Sequence, residues 1–282
     1  FKCFTYKTKL LQMKIIRSIK KLKTTILNIK KLGFVPTMGG LHNGHLSLIQ
    51  KCNKKCSKTL VSIYINPYQF NSNKDFSKYP RNLSKDLKIL KKQNVDFVFI
   101  PKTSEIYKKK RAKKILINSK KKILCGKFRK GHFEGVIDVI DRLLIIINPN
   151  YMFLGEKDFQ QLFLIKKYVK KKFKIIVISC KTIRDKNFVA LSSRNFLLSK
   201  KNLIIAGKIA RKLNLLKNKI KKNYKIKKNI NFIKKYLTNS YSIKLDYLEL
   251  RDEKNLSKTI KNNKFRLFIA YHINNVRLID NY

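Results

Sequence analysis

His42 and His45 stand three positions apart inside the run Gly33-Phe34-Val35-Pro36-Thr37-Met38-Gly39-Gly40-Leu41-His42-Asn43-Gly44-His45. An apolar strand segment runs into a glycine-bearing turn, and the His-x-Gly-His then opens a helical pattern marked by Leu46, Leu48 and Ile49. That order sets backbone N–H groups and two imidazoles at a helix N-terminus, where orphan donors and the helix dipole favour phosphate oxygens. Gly39, Gly40 and Gly44 let the backbone approach a ligand closely. The pattern predicts a nucleotide site. Zinc would need further His, Cys or carboxylate ligands at a recognised spacing, and none follows.

Such groups need a frame to position them. Short β-branched and aromatic runs at Phe34–Thr37, Leu60–Asn66, Phe97–Pro101, Tyr151–Gly155 and Ile175–Ser179 read as strands. Between them lie helical patterns at about 45–56, 82–93, 135–147 and 158–171. The alternation predicts an α/β fold, a doubly wound, parallel, Rossmann-like sheet with right-handed crossovers over residues 13–187. Beyond it the texture changes. Asn202–Leu237 is basic and helical in period, with Ile204, Ile205, Ile209, Leu213 and Leu216 as its apolar stripe, and Leu245–Leu250 and Phe265–His272 read as strands. Residues 188–282 are therefore expected to form a smaller C-terminal α+β lid domain. Residues 1–12 precede Met13 and are expected to lie outside the fold. Lys-rich Glu105–Lys122, with a weak strand at Ile115–Ile117, reads as a peripheral hairpin or loop.

In an open α/β sheet, ligands bind outside the carboxyl ends of the strands. Polar clusters follow those ends in this chain. Beside the histidine run stand Asn66-Pro67-Tyr68-Gln69-Phe70 and Gly155-Glu156-Lys157-Asp158-Phe159-Gln160-Gln161. A fourth is Leu191-Ser192-Ser193-Arg194-Asn195, reached through Thr182-Ile183-Arg184-Asp185. Each has a structural alternative. Asn66-Pro67 makes an ordinary turn, Asp158 or Ser192–Asn195 could cap a helix, and His132 and His272 read as structural histidines. Their convergence on one crevice weighs more than any single motif.

Net charge is +53, from 68 Lys+Arg against 15 Asp+Glu. Such charge ordinarily points to nucleic acid. Here the lysines are spread along the whole chain beside abundant Ile, Asn, Phe and Tyr, residues that share A/T-rich codons. Mutational bias then accounts for the charge, and no specific nucleic-acid partner is expected. Leu143–Ile147 is the greasiest run and falls far short of the roughly 18 residues of a membrane span. Five scattered cysteines, Cys3, Cys52, Cys56, Cys125 and Cys180, read as thiols of a reducing, cytoplasmic compartment.

Val35–His45 and Val61–Phe70 together resemble the pantoate–β-alanine ligase (pantothenate synthetase) family. So do Tyr79-Pro80-Arg81, Gly131-His132-Phe133, Gly155–Gln161, Ala190–Asn195 and Arg277-Leu278-Ile279-Asp280-Asn281. The match runs in order from about residue 13 to the end. It implies ATP-dependent condensation of pantoate with β-alanine, giving pantothenate, AMP and pyrophosphate through a pantoyl adenylate. The resemblance implies that His42, His45 and Lys157 are catalytic. It implies ATP contacts at Met38, Gly39, Gly40, Leu41, His42, Asn43, Gly44, His45, Gly155, Glu156, Lys157, Asp158, Ile183, Leu191, Ser192, Ser193 and Arg194. Gln69 and Gln161 match the pair that holds pantoate, with Gln69 also near β-alanine. Mg²⁺ would arrive on the ATP phosphates without direct protein ligands. The family's members are cytoplasmic homodimers.

The chain departs from the family pattern at Asn43, Lys130 and Glu134, and in a shortened Glu105–Lys122 region. Two rivals remain: a nucleotidyltransferase that stops after nucleotide transfer, and an RNA-binding protein. Gln69 and Gln161 speak against the first, and the diffuse charge against the second.

Overall fold

The computed structural model describes residues 12–77, 79–108, 115, 117–223, 225, 229–260 and 264–282. Expectations for residues 1–11 lie outside the described residues.

Six strands form one parallel sheet: β1 (Lys14–Ile16), β2 (Leu32–Thr37), β3 (Lys58–Ile63), β4 (Phe97–Phe99), β5 (Tyr151–Gly155) and β6 (Ile176–Cys180). Their spatial order is β1-β4-β3-β2-β5-β6. Successive residues such as Phe34 and Val35, or Leu60 and Val61, are all fully buried. That is the pattern of strands covered by helices on both faces. On one face α1 (Ile19–Ile26), α7 (His132–Ile147) and α8 (Phe159–Lys172) share a core with Phe34, Leu60 and Met152. On the other, α2 (Asn43–Lys55) and α4 (Leu83–Lys92) bury Ile49 and Leu90 against Val35, Val61 and Phe153.

The chain winds outward in both directions from β2, so the topological switch point lies between β2 and β5. These strands pair only at Gly33↔Tyr151 and Phe34↔Met152. Past Phe34 they part, and Pro36, with no N–H to donate, falls in that unpaired stretch. The parting opens a crevice directly at the end of β2.

Short helices α3 (Asn73–Ser77), α5 (Thr103–Ile106) and α6 (Cys125–Phe128) fill the connections. The C-terminal part holds α9 (Lys200–Lys222), α10 (Ile230–Tyr241) and an antiparallel sheet β7-β8-β9 (Lys244–Asp252, Phe265–Ile273, Val276–Asn281). Its core is Ile209, Leu213, Leu216 and Ile220 against Leu248, Leu267 and Ile269. The other face of this sheet is not free. Tyr247, Phe268 and Ala270 join the core beneath the parallel sheet.

Several expectations need correction. The helical stretch 202–237 is two helices, and Ile204 lies outside its apolar stripe, half exposed at 52%. Ile115 and Ile117 are not in a strand. β1, α1 and β9 escaped the sequence pattern, the first because three residues carry too little periodicity to register.

Candidate active site

The histidine run forms a self-contained cap on α2. His42 is the N-cap, and its Nδ1 accepts the Gly44 N–H at 3.1 Å. The Nδ1 of His45 accepts the His42 N–H at 3.3 Å, closing a reciprocal box. With both Nδ1 atoms accepting, each neutral ring carries its proton on Nε2. The ring centroids are 4.1 Å apart. Burial lowers the His42 pKa to about 4, assisted by the Lys157 charge, and burial with the neighbouring His42 lowers His45 to about 3. Both imidazoles are therefore neutral at pH 7 and act as hydrogen-bond donors, not as cations.

This cap changes the expected phosphate chemistry. The N–H groups of His42 and Gly44 serve the box, and those of Gly40 and Leu41 point elsewhere. Asp86, 2% exposed on α4, accepts Gly40 N–H through Oδ2 and Leu41 N–H through Oδ1, each at 2.9 Å. Gly39 and Gly40 have φ of +78° and +61°, which makes glycine the fitting residue in this tight reversal. The backbone donors expected to meet phosphate are thus largely engaged, and side chains must carry that task.

Those side chains converge. Met38, His42, Gly44, His45 and Gln69 line a cavity of about 290 Å³. Gly155, Lys157, Asp158 and Gln161 line its second wall, and Ile183, Leu191, Ser192, Ser193 and Arg194 its third. Gly39, Gly40, Leu41, Asn43 and Glu156 do not line it. Leu41 is buried in the core, Asn43 is exposed, and Glu156 turns away to Arg266 at 3.1 Å.

The cations are held differently. Lys157 Nζ lies 3.4 Å from Asp158, and Lys157 with Arg194 keeps that carboxyl below its ordinary range although burial pushes it up. Arg194 donates to both oxygens of Asp75, at 3.1 and 3.0 Å. Ser193 Oγ is 3.2 Å from the Tyr79 hydroxyl. Ser192 caps the short turn Ser193–Leu197 by accepting the Arg194 N–H, whereas the helix expected near residue 196 begins at Lys200 with Ser199 as its cap. Leu191 N–H donates to Ile183 O at 2.9 Å, which brings the two distant sequence segments side by side.

The adjacent glutamines both border the cavity but differ in their bonding. Gln160 is structural: its amide bonds Lys120 O, Ile123 O and Cys125 N. Gln161 lines the cavity with its side chain unbonded among the described residues. Gln69, also in the cavity lining, contacts Met38 Sδ through Nε2 at 2.6 Å. Asn66 is a turn residue, with Oδ1 accepting Tyr68 N–H and Nδ2 donating to Gly135 O. Asp158 sits at the start of α8 without a capping hydrogen bond.

Sequence reasoning missed Arg129. Its Nη1 lies 2.9 Å from His132 Nε2 and its Nη2 donates to Gln69 O at 3.3 Å. A guanidinium only donates, so His132 Nε2 accepts and its Nδ1–H donates to Gln69 O at 2.8 Å. His132 is thus structural in the sense expected, and it fixes the backbone of a pocket residue. Burial and then Arg194 press the Arg129 pKa below its usual range. No acidic side chain pairs with it among the described residues. His272 is structural too, pairing with Asp246 at 3.3 Å. Glu134, a departure from the family pattern, is answered by Lys121 at 2.6 Å. Among the described residues, no three His, Cys, Asp or Glu side chains gather to cage a metal, and no helix is long and apolar enough to cross a membrane.

The model of the pantoate-beta-alanine ligase family matches residues 14–282. Pantothenate synthetase of Carboxydothermus hydrogenoformans is 37% identical over 293 residues, covering 96% of this chain and 98% of the relative. That of Ruthia magnifica is 42% identical over 255 residues, covering 89% and 90%. Among solved structures, pantothenate synthetase from Thermus thermophilus superposes with a TM-score of 0.88 at 29% identity, over 96% of this chain and 99% of that one. Pantoate-beta-alanine ligase from Francisella tularensis, solved in complex with beta-gamma ATP and beta-alanine, gives 0.77 at 37% identity over 96% and 97%. The chain belongs to the pantoate–β-alanine ligase family.

Proposed function

We propose that this crevice joins pantoate to β-alanine at the expense of ATP. A carboxylate oxygen of pantoate attacks the α-phosphorus, the bond to the bridging oxygen breaks, and pyrophosphate leaves. The β-alanine nitrogen then attacks the acyl carbon of the adenylate, AMP departs, and the new amide nitrogen releases its proton. What supports the reading is that His45, Lys157, Ser193 and Gln161, drawn from three separate segments, line one cavity.

Negative charge grows on the phosphates in the first step, so fixed donors must meet it. Lys157 supplies a cation, and the Nε2–H groups of His42 and His45 supply neutral donors that need no counterion. Gln69 and Gln161 suit pantoate, because an amide donates to a carboxylate and accepts from a hydroxyl without adding charge. Arg129, a pocket cation with no acid of its own among the described residues, is assigned to the carboxylate of β-alanine, next to the Gln69 backbone it already holds. Met38, Gly44, Gly155, Asp158 and Ile183, with Leu191–Arg194, make up the remaining ATP shell. Asp86 is spent on backbone amides, so Mg²⁺ would ride on the phosphate oxygens with its waters, neutralising charge there.

Residues 13–187 form the catalytic unit and 188–282 its cover, and the assembly is a cytoplasmic homodimer by family likeness. The deciding assay mixes the protein with ATP, Mg²⁺, pantoate and β-alanine and follows AMP. Release that requires every component is expected. A stable nucleotidylated product would instead identify a nucleotidyltransferase.

A further inference from the structure

Lys157 enters the cavity from the short turn Glu156–Asp158, which has no side-chain cap. The turn is held from the C-terminal sheet instead. Asn281, in β9 and 3% exposed, donates both N–H groups of its amide, to Glu156 O at 2.9 Å and to Lys157 O at 2.8 Å. Its Oδ1 accepts from Arg266 Nη1 at 2.9 Å. Arg266 also bonds Glu156 Oε2 at 3.1 Å and Glu253 Oε1 at 2.8 Å, and its guanidinium lies 4.0 Å over the Phe159 ring. With two carbonyls on one side and a guanidinium on the other, only one orientation of the amide satisfies every partner.

The same residue reaches the segment that follows the neighbouring strand β6. Arg184 Nη2 donates to Asn281 O at 3.0 Å while the guanidinium clasps Asp280 at 2.6 and 2.9 Å. Arg184 follows Ile183, which lines the cavity beyond the end of β6, the strand paired with β5. One strand end therefore anchors two pocket walls that share no sequence neighbourhood.

We propose that Asn281 is a positioning residue: it fixes where Lys157 presents its ammonium and thereby couples the C-terminal sheet to adenylate formation. This rests on the reading of Lys157 as a phosphate-binding group. On that reading Lys157 meets the charge that builds on the phosphates in the first step, so loosening its turn slows that step more than the second.

The test is N281D, which keeps the shape but turns carboxylate oxygens toward two carbonyls. Pantoate-dependent ATP–pyrophosphate exchange should slow about 10- to 100-fold, the scale of a misplacement near 1 Å. The reaction of supplied pantoyl adenylate with β-alanine should keep its rate. L267A, in the C-terminal core, is the control: it should lower Tm yet leave the ratio of the two half-reactions intact. Amide hydrogen exchange over residues 156–158 should quicken in N281D and not in L267A. If N281D fails to fold, R266K, which loses the guanidinium fork that orients the amide, should give the same split at smaller size. Equal slowing of both half-reactions, or wild-type protection at 156–158, overturns the proposal. Wild-type protein without exchange activity overturns the proposed function instead, and hydrogen exchange still decides the role of Asn281.

Discussion

Asp86 Oδ1 accepts the backbone N–H of Leu41 at 2.9 Å, across 45 positions of sequence. With the parallel bond to Gly40, it hangs the loop before the histidine cap from helix α4. Asp86→Ala strands two buried donors and should cost roughly 2–4 kcal/mol of stability. It should also raise KM for ATP as the cap shifts. Asp86→Asn, which keeps one acceptor, should lose less. Urea titration and ATP kinetics check both, and an unaltered midpoint for Asp86→Ala would mean that the loop holds itself.

A side chain at position 135 meets backbone. A Cβ on Gly135 would stand 2.1 Å from the Tyr68 carbonyl oxygen and 2.9 Å from Gln69 Cα. Gly135→Ala must push α7 off the turn Pro67–Gln69. A folded protein weaker by about 1–3 kcal/mol is expected, with KM for pantoate raised more than KM for ATP. Steady-state kinetics on each substrate separate the two.

Removing a donor should damage chemistry more than folding. His45→Ala and Lys157→Ala should each lower the adenylation rate on the order of 10²–10³-fold, with far-UV circular dichroism unchanged. Near-normal ATP–pyrophosphate exchange in either variant would remove that residue from the mechanism.

Buried histidines set an acid limit. His45 and His132 have pKa values lowered to about 3 from 6.5, mainly by burial. Between pH 6.5 and 3 the unfolded chain binds protons that the folded chain refuses, so stability falls as pH drops through that window. Above about pH 7 these groups contribute no slope. Denaturant midpoints from pH 8 to 4 should bend downward below 6.5, and His132→Gln should flatten the bend.

Arg194 is occupied by Asp75 in this structure, and that side chain is 40% exposed. A phosphate arriving at Arg194 must displace it. Asp75→Ala should therefore lower KM for ATP by about 2- to 5-fold, the scale of an exposed ion pair. A rise in KM would show that the pair preorganises Arg194.

The sequence by itself determined the parallel sheet and the places where polar groups leave it. Strands covered on both faces must be apolar at consecutive positions, as at Phe34-Val35 and Leu60-Val61, and clusters such as Gly155–Gln161 follow them immediately. Those are local patterns, readable without a fold. It could not separate Gln160 from Gln161, because both border the cavity and only the partners that tertiary structure brings to Gln160 distinguish them. Nor could it find Asp86 or Arg129, or give a role to Asn281, which it marked only as the end of the motif Arg277–Asn281. Each acts on backbone far away in sequence, and a side chain bonded to a distant carbonyl or amide leaves no periodic trace. Tertiary structure alone also decided the charge of the histidines: burial and the reciprocal cap keep both rings neutral, a property of the enclosure and not of the residue type.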